Sequence, residues 1–186
     1  MSDEGKKAFS LIDEPWVRVV DKSGMHRVVS LRTLFSDISS FANLDGGSAL
    51  EDVAVFRILL AITYAALDPV LRDDWEEWWD DGLPVDRIIS YLESREDRFW
   101  LFHPENPFMQ QPDLEPINDK ADTGLSKFMI DPNGNEELFA NTRNTENLSI
   151  NPADAARMLL AVLQFDTSGP KSGHKNDPYE VQGRSY

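Results

Sequence analysis

No cysteine occurs among the 186 residues, which excludes disulfides, thiolate metal ligands and a cysteine nucleophile and is compatible with a reducing compartment. Histidine is scarce as well. His26, His103 and His174 stand at spacings unlike the paired ligands of a zinc site. Positive charge is the third deficit: 18 Lys+Arg face 33 Asp+Glu, a net charge of −15, and phosphate binding by a free-standing protein needs a basic surface. Long apolar runs are lacking too. The longest, Val53 to Leu67, carries Arg57 and is too short and interrupted to span a bilayer, and the MSDEGKKAFS start has no apolar signal region behind its lysines. A nucleophile elbow and a Walker loop are both missing. These absences lead us to expect a soluble protein with no membrane partner, and a cytoplasmic location is compatible with them.

What is present is enough for one substantial core. Hydrophobic residues make up 41% of the chain, and its length fits one domain or part of a larger one. The expected fold class is α+β: a mostly helical core with an N-terminal β-hairpin and long irregular loops. Residues 1–10 read as a polar leader, 11–120 as hairpin and helical core, and 121–186 as a loop-rich part. Charge follows the same division. Residues 1–119 hold 11 Lys+Arg against 24 Asp+Glu, whereas residues 120–186 hold 7 against 9, so a polyanion is to be sought along the second part.

Leu11 to Val20 predicts a strand, Asp21-Lys22-Ser23-Gly24 a turn, and Met25 to Ser30 the returning strand of a hairpin. Ser30 then caps a short helix over Leu31–Phe35. Ala49 to Leu67 is apolar around most of a helical circumference and belongs in the centre of the core, ending at Asp68-Pro69. Leu71 to Asp81 places Trp75, Trp78 and Trp79 on one helical face, which reads as core packing, and a further helix covers Val85–Glu93. Phe99 to Gln111, FWLFHPENPFMQQ, is a buried apolar run ending in a rigid turn, because His103-Pro104 and Asn106-Pro107 push each preceding residue out of helical geometry. A last helix starts at Asn151 (cap), Pro152 and Asp154, continues through Met158, Leu159, Val162 and Leu163, and breaks at Asp166 to Pro170.

Few groupings carry chemistry. His103 and Glu105 read as the polar surface of a turn, with no third group to make an acid/base system. Asp73, Asp74, Glu76, Glu77, Asp80 and Asp81 could offer oxygen ligands to a hard cation, but contiguous acidic residues point several ways around a helix and read as a solvated face. Ser168-Gly169-Pro170-Lys171-Ser172-Gly173 could present N–H groups and a cation to a phosphate, although it follows a helix where phosphate sites more often precede one. Phe139-Ala140-Asn141 could wedge and hydrogen-bond in a minor groove.

Several segments, in order, resemble the CasA family, the large subunit of the type I-E CRISPR surveillance complex Cascade. The likeness runs through Leu11-Ile12-Asp13-Glu14-Pro15-Trp16, a LIDxxW-type opening, and Val29-Ser30-Leu31-Arg32-Thr33-Leu34-Phe35. It is strongest at His103-Pro104-Glu105-Asn106-Pro107-Phe108-Met109-Gln110, similar to the family's HPFMQ element, and extends to Lys171-Ser172-Gly173. The resemblance implies a subunit that is not an enzyme and carries no cofactor or metal. It helps recognise the protospacer-adjacent motif and the opening DNA, and it helps recruit the helicase-nuclease, while sequence reading is delegated to guide RNA. Its partners would be other Cascade subunits, CRISPR guide RNA, target double-stranded DNA and the helicase-nuclease.

In that family a Phe-x-Asn loop faces the motif and the guide, and Phe139 and Asn141 lie at the corresponding place. A glycine-rich loop meets the motif from the minor-groove side, and Ser168, Gly169, Lys171, Ser172 and Gly173 lie there, with Pro170 as a departure. The 123–137 stretch is longer than its family equivalents. Family members run to several hundred residues, so the chain is expected to be the N-terminal portion of a larger protein. Two rival readings differ in class. One is an acidic interaction module that docks a protein through the Trp75 and Trp78 helix or the Phe108 turn. The other is a carboxylate-based metal hydrolase using Glu76 or Glu77.

Overall fold

The computed structural model describes residues 7–68, 72–113, 115, 149–165 and 175. Strand β1, Ala8–Ser10, pairs antiparallel with β5, Trp100–Phe102, so Ser10 sits opposite Trp100. Part of the expected leader is therefore structural. The chain then turns through Leu11 to Glu14 instead of continuing as a strand, with the Glu14 N–H donating to the Ser10 carbonyl at 2.8 Å. Strand β2 begins only at Val17 and runs to Asp21, and β3 spans His26–Val29. Between them Asp21 organises the turn. Its carboxylate accepts from the N–H groups of Ser23 (2.9 Å) and Met25 (3.0 Å) and from Arg27 Nε (2.7 Å), while Gly24 takes the left-handed φ of 84° that its lack of a Cβ permits. Helix α1, Leu31–Ser36, is capped as predicted: the Ser30 hydroxyl accepts from the Thr33 N–H at 3.1 Å.

Strand β4, Phe41–Leu44, completes a three-stranded antiparallel sheet in the order β3-β2-β4. Helices α2 (Ala49–Leu67), α3 (Arg72–Asp81) and α4 (Val85–Ser94) follow, and α5 covers Pro152–Phe165. The α+β class is as expected, with helices predominating among the described residues.

The LIDEPW segment lies at the centre of the core. Leu11, Ile12, Trp16 and Val17 are at most 1% exposed, and each such side chain contributes about 1.5 to 3 kcal/mol by leaving water. Trp16 Nε1 donates to the Leu11 carbonyl at 2.8 Å, so the indole is both buried and satisfied. The Leu11 N–H reaches the Phe99 carbonyl at 2.8 Å and the Arg32 N–H reaches the Ile12 carbonyl at 3.0 Å, tying the segment to β5 and α1.

Two helices depart from expectation. Helix α2 buries Ala54, Val55, Ile62, Thr63 and Leu67 but leaves Val53, Phe56, Leu60 and Tyr64 exposed, so it lies at the edge of the core and not in its centre. One side packs on α4 and α5, and on the other Tyr64 meets Trp75 of α3. Helix α3 buries no residue at all. Trp75 and Trp78 are half-buried, with the Trp75 ring 5.2 Å from Tyr64 and 5.1 Å from Trp78 between centroids, but Trp79 is 89% exposed. Adjacent helical residues point about 100° apart, so a helix that turns Trp78 inward turns Trp79 out.

Candidate nucleic-acid interface

Within β5 the side chains alternate, Leu101 buried and Phe102 48% exposed, and Phe99, just ahead of the strand, is buried as well. The proline turn then folds back onto this run. The Phe108 N–H donates to the Trp100 carbonyl at 2.8 Å, and Phe108 stacks on Phe99 with centroids 5.8 Å apart. Gln110 Nε2 donates to the carbonyls of Leu101 (2.9 Å) and Phe108 (3.2 Å), locking the far side of the turn. His103 Nδ1 accepts from the N–H groups of Glu105 (3.1 Å) and Asn106 (2.9 Å), which assigns the remaining ring proton to Nε2. It caps the turn, and Glu105 meets it through its backbone N–H. Met109 follows in the left-handed region at φ 51°, a conformation that costs a residue with a Cβ about 1 kcal/mol or more.

Helix α5 is held by a charge cluster that the sequence does not advertise. Asn151 Oδ1 accepts from the Asp154 N–H at 2.9 Å, capping the helix as predicted. Three residues on, Arg157 is 2% exposed. Its guanidinium donates to the Trp16 carbonyl at 2.5 Å, to Glu51 Oε2 of α2 at 3.3 Å and to Asp154. Arg18 of β2 reaches Asp154 Oδ1 at 3.3 Å and the Gly46 carbonyl at 3.4 Å. Two arginines thus face two carboxylates across three elements, β2, α2 and α5. Burial pushes the Arg157 guanidinium below its ordinary pKa, opposed by Asp154 and Glu51, and burial pushes the Glu51 carboxyl up, opposed by Arg157. Such a cluster fixes geometry. A lone arginine among Ala156, Met158 and Leu159 was the signal that could have revealed it.

The described flanks of the predicted nucleic-acid segments meet at the turn. Met109 shares a groove of about 360 Å³ with Leu160, Leu163 and Gln164 of α5 and with Arg57 of α2. The Lys175 N–H donates to the Glu115 carbonyl at 2.9 Å, and its ammonium lies 3.7 Å from the Glu115 carboxylate. The residues singled out for nucleic acid, Phe139, Asn141, Ser168, Gly169, Lys171, Ser172 and Gly173, lie outside the described residues, as does His174.

The acidic residues of α3 are dispersed, and Glu76 accepts from Arg72 Nε at 2.8 Å. Among the described residues no group of three or more His, Asp or Glu is placed to hold a metal ion. No single described helix is long and apolar enough to cross a membrane.

Comparison with known proteins points one way. The family described as CRISPR-associated protein Cse1 matches residues 10–185. The CRISPR-associated protein CasA/Cse1 of Thermus thermophilus is 37% identical over 163 residues, covering 87% of this chain and 32% of that protein. The crystal structure of Thermobifida fusca Cse1 superposes with a TM-score of 0.78 at 37% identity, covering 96% of this chain and 34% of that one. A chain of a CRISPR RNA-guided surveillance complex shares the fold, with a TM-score of 0.75 at 21% identity over 97% of this chain and 38% of that one. The chain spans about a third of the length of the relatives it matches.

Proposed function

Because the chain belongs to the CRISPR-associated Cse1 family, we propose that it works as part of a non-enzymatic subunit of Cascade, an RNA-guided antiviral DNA surveillance complex in the cytoplasm. On this reading it contacts other Cascade subunits and CRISPR guide RNA, helps recognise the protospacer-adjacent motif in target double-stranded DNA, and helps recruit the helicase-nuclease. Phe139 and Asn141 meet the motif and the guide, and Ser168, Gly169, Lys171, Ser172 and Gly173 form the second contact, within the loop-rich 121–186 part. It needs no cofactor or metal.

The observation that carries the reading is the anchoring of these segments' flanks. The Met109 turn is braced by Phe99, Leu101 and Gln110, helix α5 is clamped through Arg157, and Lys175 is tied to Glu115. Loops on rigid supports hold a DNA-facing geometry that free loops would not. In the assembled complex, Phe139→Ala and Asn141→Ala should each weaken target-duplex binding roughly tenfold, the scale of a lost specific contact. Unchanged affinity in a gel-shift titration would remove both residues from the site.

A second reading has one observation of its own. Trp79 projects into solvent among Glu76 and Asp80, as a residue that docks a protein partner would. Pull-down of the other Cascade proteins and guide RNA by the wild type and by Trp79→Ala separates the two. Loss of every partner with Trp79→Ala favours protein docking, and retention favours the nucleic-acid role.

A further inference from the structure

The concave side of the proline turn carries a feature that its bracing role does not need. Between the end of α4 and the turn lies a groove of about 620 Å³, lined by Tyr91, Arg95, Arg98, Asn106, Gln110 and Gln111 over a floor made by the Phe99–Phe108 stack. In a chain with 33 acidic residues, no carboxylate among the described residues lines it. Two of the acidic neighbours in sequence are engaged elsewhere, Asp97 while still within electrostatic reach of Arg98. Glu93 accepts from Arg32 at 2.8 Å, and Asp97 is engaged by Lys7. Among the described residues no carboxylate forms an ion pair with Arg95 or Arg98, and Arg98 donates to Asn106 Oδ1 at 3.3 Å. That bond turns the Asn106 amide so that its Nδ2 is free to donate, beside the exposed Gln111 amide. Met109, strained at φ 51°, forms the rim.

We propose that this groove binds the sugar-phosphate backbone of a single nucleic-acid strand, with Arg95 and Arg98 on successive phosphates and the amides of Asn106 and Gln111 on sugar or base edges. Guanidinium forks match phosphate oxygens, and the half-buried Tyr91 with the exposed Met109 gives an apolar surface for a base. The site rests on the nucleic-acid reading above only for the choice of phosphodiester over other anions. The negative field of the whole chain keeps the affinity weak, in the millimolar to high micromolar range.

The test is a titration of the isotope-labelled chain with an RNA trinucleotide, a DNA trinucleotide and triglutamate at about 150 mM salt, where screening limits the long-range repulsion. The nucleotides should shift the side-chain resonances of Arg95, Arg98, Asn106 and Gln111. Arg95→Gln with Arg98→Gln should weaken binding roughly tenfold or more, and Asn106→Asp, which keeps the turn but puts a carboxylate in the groove, should do the same. Arg72→Gln, at an exposed position of α3 outside the groove lining, should change it less than about twofold. No shifts with either nucleotide, equal binding by triglutamate, or unchanged affinity in both groove variants overturns the site. In the assembled complex, duplex binding retained by Arg95→Gln/Arg98→Gln but lost with Phe139→Ala would sink the groove and spare the broader reading. The opposite pattern would support the groove and sink the Phe139 contact.

Discussion

Arg157 and the Arg95–Arg98 pair carry the same functional group in opposite settings. Arg157 is enclosed, with its guanidinium spent on Trp16, Glu51 and Asp154. Arg95 and Arg98 are exposed and line a groove that no carboxylate among the described residues enters, with Asp97 and Glu93 paired to Lys7 and Arg32. The first arrangement serves structure and the second is available to a ligand. What separates them is the counter-charge: Arg157 has Asp154 three residues away and Glu51 from far along the chain, whereas no described carboxylate forms an ion pair with Arg95 or Arg98.

The comparison breaks most visibly at the buried member. Arg157→Leu leaves the part-buried Glu51 without its paired guanidinium and Asp154 with Arg18 alone, and should cost about 3 to 5 kcal/mol, read as a large fall in the thermal midpoint. Removing Arg95 or Arg98 should cost less than about 0.5 kcal/mol. An effect between these two is expected at Gly46, whose loop feeds the same cluster as Arg157. A Cβ there would stand 2.8 Å from Asp52 Oδ1 and 3.0 Å from Glu51 Cβ, so Gly46→Ala should lose about 1 to 2 kcal/mol in denaturant titration.

The hairpin turn gives a pH signature instead of a single number. The Ser23 hydroxyl, Arg27 and the Met25 N–H hold the Asp21 carboxyl well below the usual carboxylate range. A depressed folded-state pKa gives stability that is complete above the unfolded value and is lost as pH falls toward the folded one. Thermal melts from neutral to about pH 2 should therefore fall more steeply for the wild type than for Asp21→Asn, whose acid limb flattens. Smallest of all is Trp79→Ala. A side chain 89% exposed contributes little to folding, and its loss should move stability by less than about 0.5 kcal/mol.

Local signals in the sequence located what local chemistry decides. Ser30 and Asn151 are polar caps ahead of apolar runs, and both helices start where those caps stand. Helix α2 has its expected bounds because Ser48 and Asp68 flank an unbroken apolar stretch. Long-range pairing was not legible. Strand β4 is FANL, without a β-branched residue, and extends because Val19 and Val20 of β2 take Leu44 and Asn43 as partners. Ala8–Ser10 is polar enough to read as a leader until β5 supplies its mate. The three tryptophans of α3 satisfy a helical spacing rule, but Tyr64 receives only Trp75, against which Trp78 packs, and Trp79 turns away. For the interface, residue types suggested Phe139, Asn141 and the Lys171 loop, whereas the groove depends on which charges are already paired, which a count cannot show.

The nucleic-acid role is tested most directly by placing a photo-crosslinking residue at position 139 in the assembled complex and irradiating it with target duplex bound. Crosslinks to the target duplex or the guide RNA are expected there, and none from a control with the same residue at position 79. Crosslinks to protein alone at position 139 would contradict that role.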